Sequence, residues 1–276
     1  MLSVENSSDS SAATASSSKE KQPPVFEITS AHIAETEGSD KKYVVYTLQI
    51  RHVTAVDDAS PAILERRYTD FYNLYTELNK QYAKLMPQIT FPKKVLIGNF
   101  DNKVISLRST GFETLLKHIL MEPKLRNSNA LLSFLQDNEL NKAKEYLAEK
   151  QYVLALPLLE NNFRLLNKVY TNRSPAVLLA LCRLLGCSIL LPGSPDSEKW
   201  AEIALHRYEG VCDSDLLELY IPLLQVCTKI WWQTGRNRDA LETRLRTLRQ
   251  QGIKFNDTIT LLEAVDTLEQ KLAQIS

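Results

Sequence analysis

The chain has 276 residues, 44 % of them hydrophobic and 24 % charged, enough for one large or two ordinary domains with a core that needs no disulfide or metal staple. Its 33 Lys and Arg balance 33 Asp and Glu, which argues against a global electrostatic grip on nucleic acid. Cys182, Cys187, Cys212 and Cys227 form no C-x-x-C pair and sit in apolar stretches, so they read as small buried hydrophobes of a reducing, intracellular protein.

The first 24 residues hold eight serines and no large apolar residue after Val4, without the basic start and apolar middle of a signal peptide. Residues 1–24 are therefore expected to be a disordered serine-rich tail ending at Pro23-Pro24. A short strand starts at Val25-Phe26-Glu27-Ile28, and the β-branched and aromatic run from Tyr43 to Ile50 follows a Gly38-Ser39-Asp40 turn signal. A third strand, Ala62 to Tyr68, comes after the polar break from Asp57 to Pro61. Three successive strands with short polar links predict an antiparallel meander.

Helical spacing then takes over. Thr69 or Asp70 is expected to cap a helix that buries Phe71, Leu74, Tyr75 and Leu78. A loop with Pro87 and Pro92 ends it, a second helix is expected from Lys103 to Leu120, and a short third near Asn129 to Gln136. The first domain is thus α+β, three strands followed by helices.

Everything from Leu140 onward reads as helix. Tyr152-x-x-Ala155-Leu156, Trp200-Ala201-x-x-Ala204-Leu205 and Gly235-x4-Ala240-Leu241 each open an amphipathic helix, the spacing expected of stacked helical hairpins. The most apolar stretch, 176–191, is too short to cross a bilayer and carries Arg183, so it is expected to be a buried core helix in a cytosolic protein.

Charge is segregated along the chain. From Arg66 to Arg126 there are 11 Lys or Arg and five acids, whereas from Val25 to Glu65 there are three bases and seven acids. A local basic patch favours a compact anionic partner such as a phosphate headgroup, although any single lysine is more often just a solvated surface charge. Three clusters stand out. Arg66-Arg67-Tyr68 sits where strand meets helix, where an arginine can fork two hydrogen bonds to a phosphate beside an aromatic ring. Phe91-Pro92-Lys93-Lys94-Val95-Leu96-Ile97-Gly98 puts two cations before three aliphatics, which suits a membrane interface and equally suits an ordinary core. Arg108 lies in the second expected helix.

Together these residues resemble the phox-homology (PX) domain of the sorting nexins. The resemblance is carried by Arg66-Arg67-Tyr68-Thr69-Asp70-Phe71, Phe91-Pro92-x-Lys94 and Arg108-x-x-x-Phe112-Glu113-x-Leu115-Leu116. It implies a PX domain over 25–138 and, from the helical echoes, an all-α tetratricopeptide-like PX-associated domain over 139–276. That pairing is similar to the branch of sorting nexins numbered twenty and twenty-one. Carried over by position, it implies that Arg67 binds the 3-phosphate of a phosphoinositide and Tyr68 packs on the inositol ring. Lys94 meets the 1-phosphate, Arg108 bonds the 4- and 5-hydroxyls, and Val95, Leu96 and Ile97 form the loop that dips into the bilayer. Arg66 points into the fold. A single proline, Pro92, stands where many members carry a longer proline-rich loop.

The function so implied is a phosphoinositide-binding adaptor, peripheral on the cytosolic face of early endosomes, which recognises phosphatidylinositol 3-phosphate and recruits protein partners through its helical domain. The alternative is a protein scaffold whose PX domain binds the 4,5-bisphosphate or another anionic lipid weakly. An enzyme is not expected: His32, His52, His118 and His206 have no metal-type partner in the sequence, no hydrolase or P-loop motif occurs, and no cofactor is implied.

Overall fold

Alternating burial along each strand makes the sheet. In β3 (Ala62–Arg67) every second side chain is buried, and β2 (Lys42–Arg51) sinks Val44, Tyr46, Leu48 and Ile50. With β1 (Val25–Glu35) they form a three-stranded antiparallel sheet in the order β1-β2-β3, with a bulge between Ile28 and Ser30 of β1. The computed structural model describes residues 24–35, 38, 40–51, 61–95, 97–194, 196–209, 211, 216, 218–250 and 259–275. The expected tail up to residue 23, Ser39 of the turn signal, residues 57–60 of the polar break, His52, Leu96 and Cys212 lie outside the described residues.

The chain turns from β3 straight into α1 (Tyr68–Gln81), whose N-cap is Arg67. Asp70 does not cap through the N-cap position as expected; it sits three residues into the helix and its carboxylate accepts the Arg67 backbone N–H at 2.8 Å. The helix starts earlier because an acid at this third position reaches back to the free amide at the corner. The next helix, α2 (Asn102–Met121), is capped by Asp101, whose carboxylate accepts the Lys103 N–H. The rings of Phe71 on α1 and Phe112 on α2 stack at 3.8 Å, and the edge of Tyr46 meets both. This aromatic knot fastens both helices to the sheet.

A short turn, α3 (Pro123–Arg126), precedes α4 (Asn129–Ala148). The short helix expected near Asn129 to Gln136 and the helical stretch expected from Leu140 are one continuous element, α4, which runs without a break past residue 138. No Gly or Pro interrupts it, and Leu140 and Ala143 prolong the buried stripe begun by Leu131 and Leu135.

Beyond it lie α5 (Tyr152–Val169), α6 (Pro175–Ser188), α7 (Ser197–Tyr208), α8 (Tyr220–Gln233), α9 (Asp239–Gln250) and α10 (Leu261–Ile275). Each helix from α4 to α8 packs on the next, and α10 returns to lie against α6 and α8. The expected core helix is α6, started by Ser174 and Pro175 and buried along most of its length. Its Arg183 pairs with Asp266 and Glu269 of α10. Of the repeat alanines, Ala155 and Ala201 are buried, but Ala240 is exposed, because α9 buries only Leu248 fully.

Cys182, Cys187 and Cys227 are buried and free, and burial pushes the thiols up, Cys187 to about 11 and Cys182 to about 12. Such thiols stay protonated and inert at neutral pH. Among the described residues no helix is long and apolar enough to cross a membrane.

Candidate lipid-binding site

The corner between β3 and α1 separates two consecutive arginines. Strand alternation sends Arg66 inward, where it is 2 % exposed, and Arg67 outward, with over half its side chain in solvent. The Arg67 guanidinium stands 5.5 Å from the centre of the Tyr43 ring and 3.8 Å from the Asp70 carboxylate. Both contacts are solvent-exposed and weak, about 1 kcal/mol or less each.

Tyr68 gathers the rest of the site. Its hydroxyl donates to the Pro92 carbonyl at 2.9 Å, and its ring meets Phe91 edge-on. The guanidinium of Arg108 lies 4.4 Å above the same ring. Arg108 is itself buried, 3 % exposed, and donates to the Asn99 side-chain oxygen at 2.9 Å, while its Nε makes no hydrogen bond among the described residues. Burial raises the Tyr68 and Tyr46 hydroxyls above the ordinary tyrosine range, opposed in each case by the nearby Arg108 charge.

Asn99 joins the loop to the helix, since its amide also donates to the Val95 carbonyl. Gly98, at φ +80°, supplies the left-handed residue that this turn needs, and its carbonyl accepts the Asp101 N–H. Lys93 and Lys94 are exposed on the same segment. Of the expected apolar tip, Val95 is half-buried, Ile97 is 92 % exposed, and Leu96 lies outside the described residues.

The structure thus brings Tyr68 and Arg108 into contact and ties Tyr68 to Pro92, two residues before Lys94, with Arg67 adjoining at the corner. Arg67 touches neither: its contacts run to Tyr43 and Asp70. Sequence reasoning missed Tyr43, Asn99, Gly111 and the exposed apolar side chains of Phe100 and Leu107. Only Gly111 carried a signal, as a glycine inside a helix.

Its reason is now visible: a Cβ on Gly111 would fall 2.4 Å from Pro92 Cγ. Gly111→Ala is expected to lower stability by about 1 kcal/mol, because overpacking outweighs the gain in helix propensity. It should also loosen the Pro92 carbonyl from Tyr68. A urea-unfolding midpoint above that of wild type would contradict this account.

Two cavities lie elsewhere. One of about 580 Å³ runs between α1 and α4 beside Asn73, Glu77, Ser133 and Asp137; another of about 360 Å³ lies between Val25 and Met121. Neither is lined by Arg67, Tyr68, Lys94 or Arg108. Among the described residues no group of three or more His, Cys, Asp or Glu could hold a metal ion.

Residues 55–138 match the family model of the PX domain. Human sorting nexin-21 is 33 % identical over 83 % of this chain and 60 % of its own length. Bovine sorting nexin-20 is 33 % identical over 80 % of this chain and 68 % of its own length. The chain therefore spans less than two thirds of the human relative. The crystal structure of the mouse SNX19 PX domain with bound sulphate ion is 26 % identical, with 41 % of this chain and 97 % of that one covered and a TM-score of 0.33. A PX match over residues 55–138, joined to 33 % identity with bovine sorting nexin-20 over 80 % of this chain, places the chain in the sorting nexin family.

Proposed function

We propose that this chain is a peripheral membrane adaptor that reads phosphatidylinositol 3-phosphate on the cytosolic face of early endosomes and recruits protein partners through its helical region. In this reading residues 25–138 are the lipid-binding domain and 139–276 the partner-binding domain. Arg67 takes the 3-phosphate, Tyr68 the inositol ring, Lys94 the 1-phosphate and Arg108 the 4- and 5-hydroxyls, while Val95, Leu96 and Ile97 enter the bilayer. It is an adaptor, not an enzyme.

The observation that carries the proposal is the exposed Arg67 at a strand–helix corner whose next residue, Tyr68, is packed against Arg108 and bonded to the Lys94 segment. The forces suit reversible recruitment. Each lysine or arginine near an anionic leaflet contributes about 1 kcal/mol, and full burial of one isoleucine about 1.5–3 kcal/mol. Exposed Phe100 and Leu107 add apolar surface near Ile97 and Arg108 in sequence. Stable residence then needs a second contact, which a protein bound to the helices supplies by avidity.

One observation favours a second reading, a scaffold with weak affinity for the 4,5-bisphosphate or another anionic lipid. Arg108 is almost fully buried and already bonded to Asn99, so recognition of ring hydroxyls requires it to leave that partner. Co-sedimentation of the full chain with liposomes bearing each singly and multiply phosphorylated inositide separates the two. Binding confined to the 3-phosphate lipid is expected. Equal binding to every polyanionic lipid, falling steeply with salt, would overturn the proposal.

A further inference from the structure

We propose that Glu139 and Asn161, both beyond the residues matched by the PX model, are positioning residues for the lipid pocket. They would act by clamping β3 so that Arg67 and Tyr68 leave the corner at a fixed angle. This inference rests on the phosphoinositide reading above.

The clamp has two points. At the first, all five N–H donors of Arg66 are used. Nη1 and Nη2 fork onto the Glu139 carboxylate at 2.6 and 2.8 Å. The other bonds go to the carbonyls of Phe134, Leu135 and Glu65, and the guanidinium lies over the Phe134 ring. A planar guanidinium with every donor engaged, buried to 2 % exposure, has a single orientation. At the second point, Asn161 of α5 treats the outer edge of β3 as a neighbouring strand would. Its oxygen accepts the Ile63 N–H at 3.0 Å and its amide donates to the Ile63 carbonyl at 2.6 Å.

β3 is an edge strand of the sheet, six residues long. An edge strand held only by β2 on one side is free to shear and twist. Here α4 holds its C-terminal end and α5 holds its N-terminal end. One peptide beyond Arg66 lies Arg67, the N-cap of α1, and then Tyr68. A bidentate phosphate contact tolerates only small errors in distance and angle, so loosening the strand that carries Arg67 weakens the contact without touching the ligand. Because the coupling is reciprocal, headgroup binding also tightens the docking of α4 and α5 on β3.

The test uses the full chain, a soluble short-chain phosphatidylinositol 3-phosphate followed by calorimetry, and phosphatidylserine vesicles as a non-specific comparison. Glu139→Gln is expected to raise the dissociation constant for the soluble lipid by about fivefold, as for other coupled neighbours. Binding to phosphatidylserine vesicles should stay unchanged, and Glu139→Asp should recover part of the loss. In an Arg67→Lys background, which keeps the charge but not the fork, Glu139→Gln should add less than about twofold, because it acts through Arg67. Asn161→Ala, at an exposed contact, provides the same test if Glu139→Gln does not fold. Wild-type protein that ignores the soluble lipid overturns the phosphoinositide reading and this inference with it. Wild-type binding that the folded clamp variants leave intact, or a full Glu139→Gln effect in the Arg67→Lys background, overturns the positioning role alone.

Discussion

Arg67→Ala is expected to lower affinity for vesicles carrying phosphatidylinositol 3-phosphate by about a hundredfold, the loss of two charge-assisted hydrogen bonds worth about 3 kcal/mol together. The same change should leave stability within about 0.5 kcal/mol of wild type. The Arg67 side chain is more than half exposed, and its two contacts, the Tyr43 ring and the Asp70 carboxylate, lie at the surface. What anchors the helix start is the backbone N–H of residue 67 on Asp70, and alanine keeps that N–H. Co-sedimentation and thermal melting of the same preparation decide the matter. A folded variant that sediments like wild type would remove Arg67 from the lipid site, and the roles assigned to its neighbours would have to be rebuilt around Lys93, Lys94 and Arg108.

The sheet and the first two helices were legible because their signals are local. Alternation is visible in Ala62-Ile63-Leu64-Glu65-Arg66-Arg67, and the three- and four-residue spacing in Phe71, Leu74 and Leu78. The helix starts two or three residues earlier than a cap at Thr69 or Asp70 implies, because Asp70 resembles a cap from its position before Phe71, whereas it works as the third residue reaching back. The continuity of α4 was not legible either: the helix near 129–136 and the helical stretch from Leu140 are one element, joined across the polar Asp137, Asn138 and Glu139.

The candidate residues were legible through the order of the family motif, exposed and buried alike. Arg67 and Lys94 stand in solvent, as residues waiting for a ligand should. Only its place in the order of the family motif marks Arg108, and its burial against Tyr68 and Asn99 depends on a turn at Gly98 that brings the loop back onto α2. Glu139 and Asn161 had no chance of being found. Each is an ordinary polar residue on an amphipathic helix, and its partner lies 73 or 98 positions earlier in the chain.

Arg66→Ala is expected to do the reverse of its neighbour and cost about 3 kcal/mol of stability, because removing one partner of a buried pair leaves the other without compensation. Glu139 retains some contact with water, about a fifth of its side chain, which places the loss at the lower end of the range for such pairs. The damage extends further than one carboxylate, since the carbonyls of Phe134 and Leu135 lose a donor and the Phe134 ring loses the group lying over it. A double replacement, Arg66→Met with Glu139→Leu, should recover the part of the loss that comes from the stranded carboxylate, because an apolar pair of similar volume has no charge left to desolvate. It should not recover tight lipid binding, since the fork that orients the corner is gone. Urea unfolding of the three proteins separates these effects. If Arg66→Ala unfolds at the wild-type midpoint, the joint between β3 and α4 carries no load, and the angle at which Arg67 meets a phosphate must be set by α1 and the sheet alone.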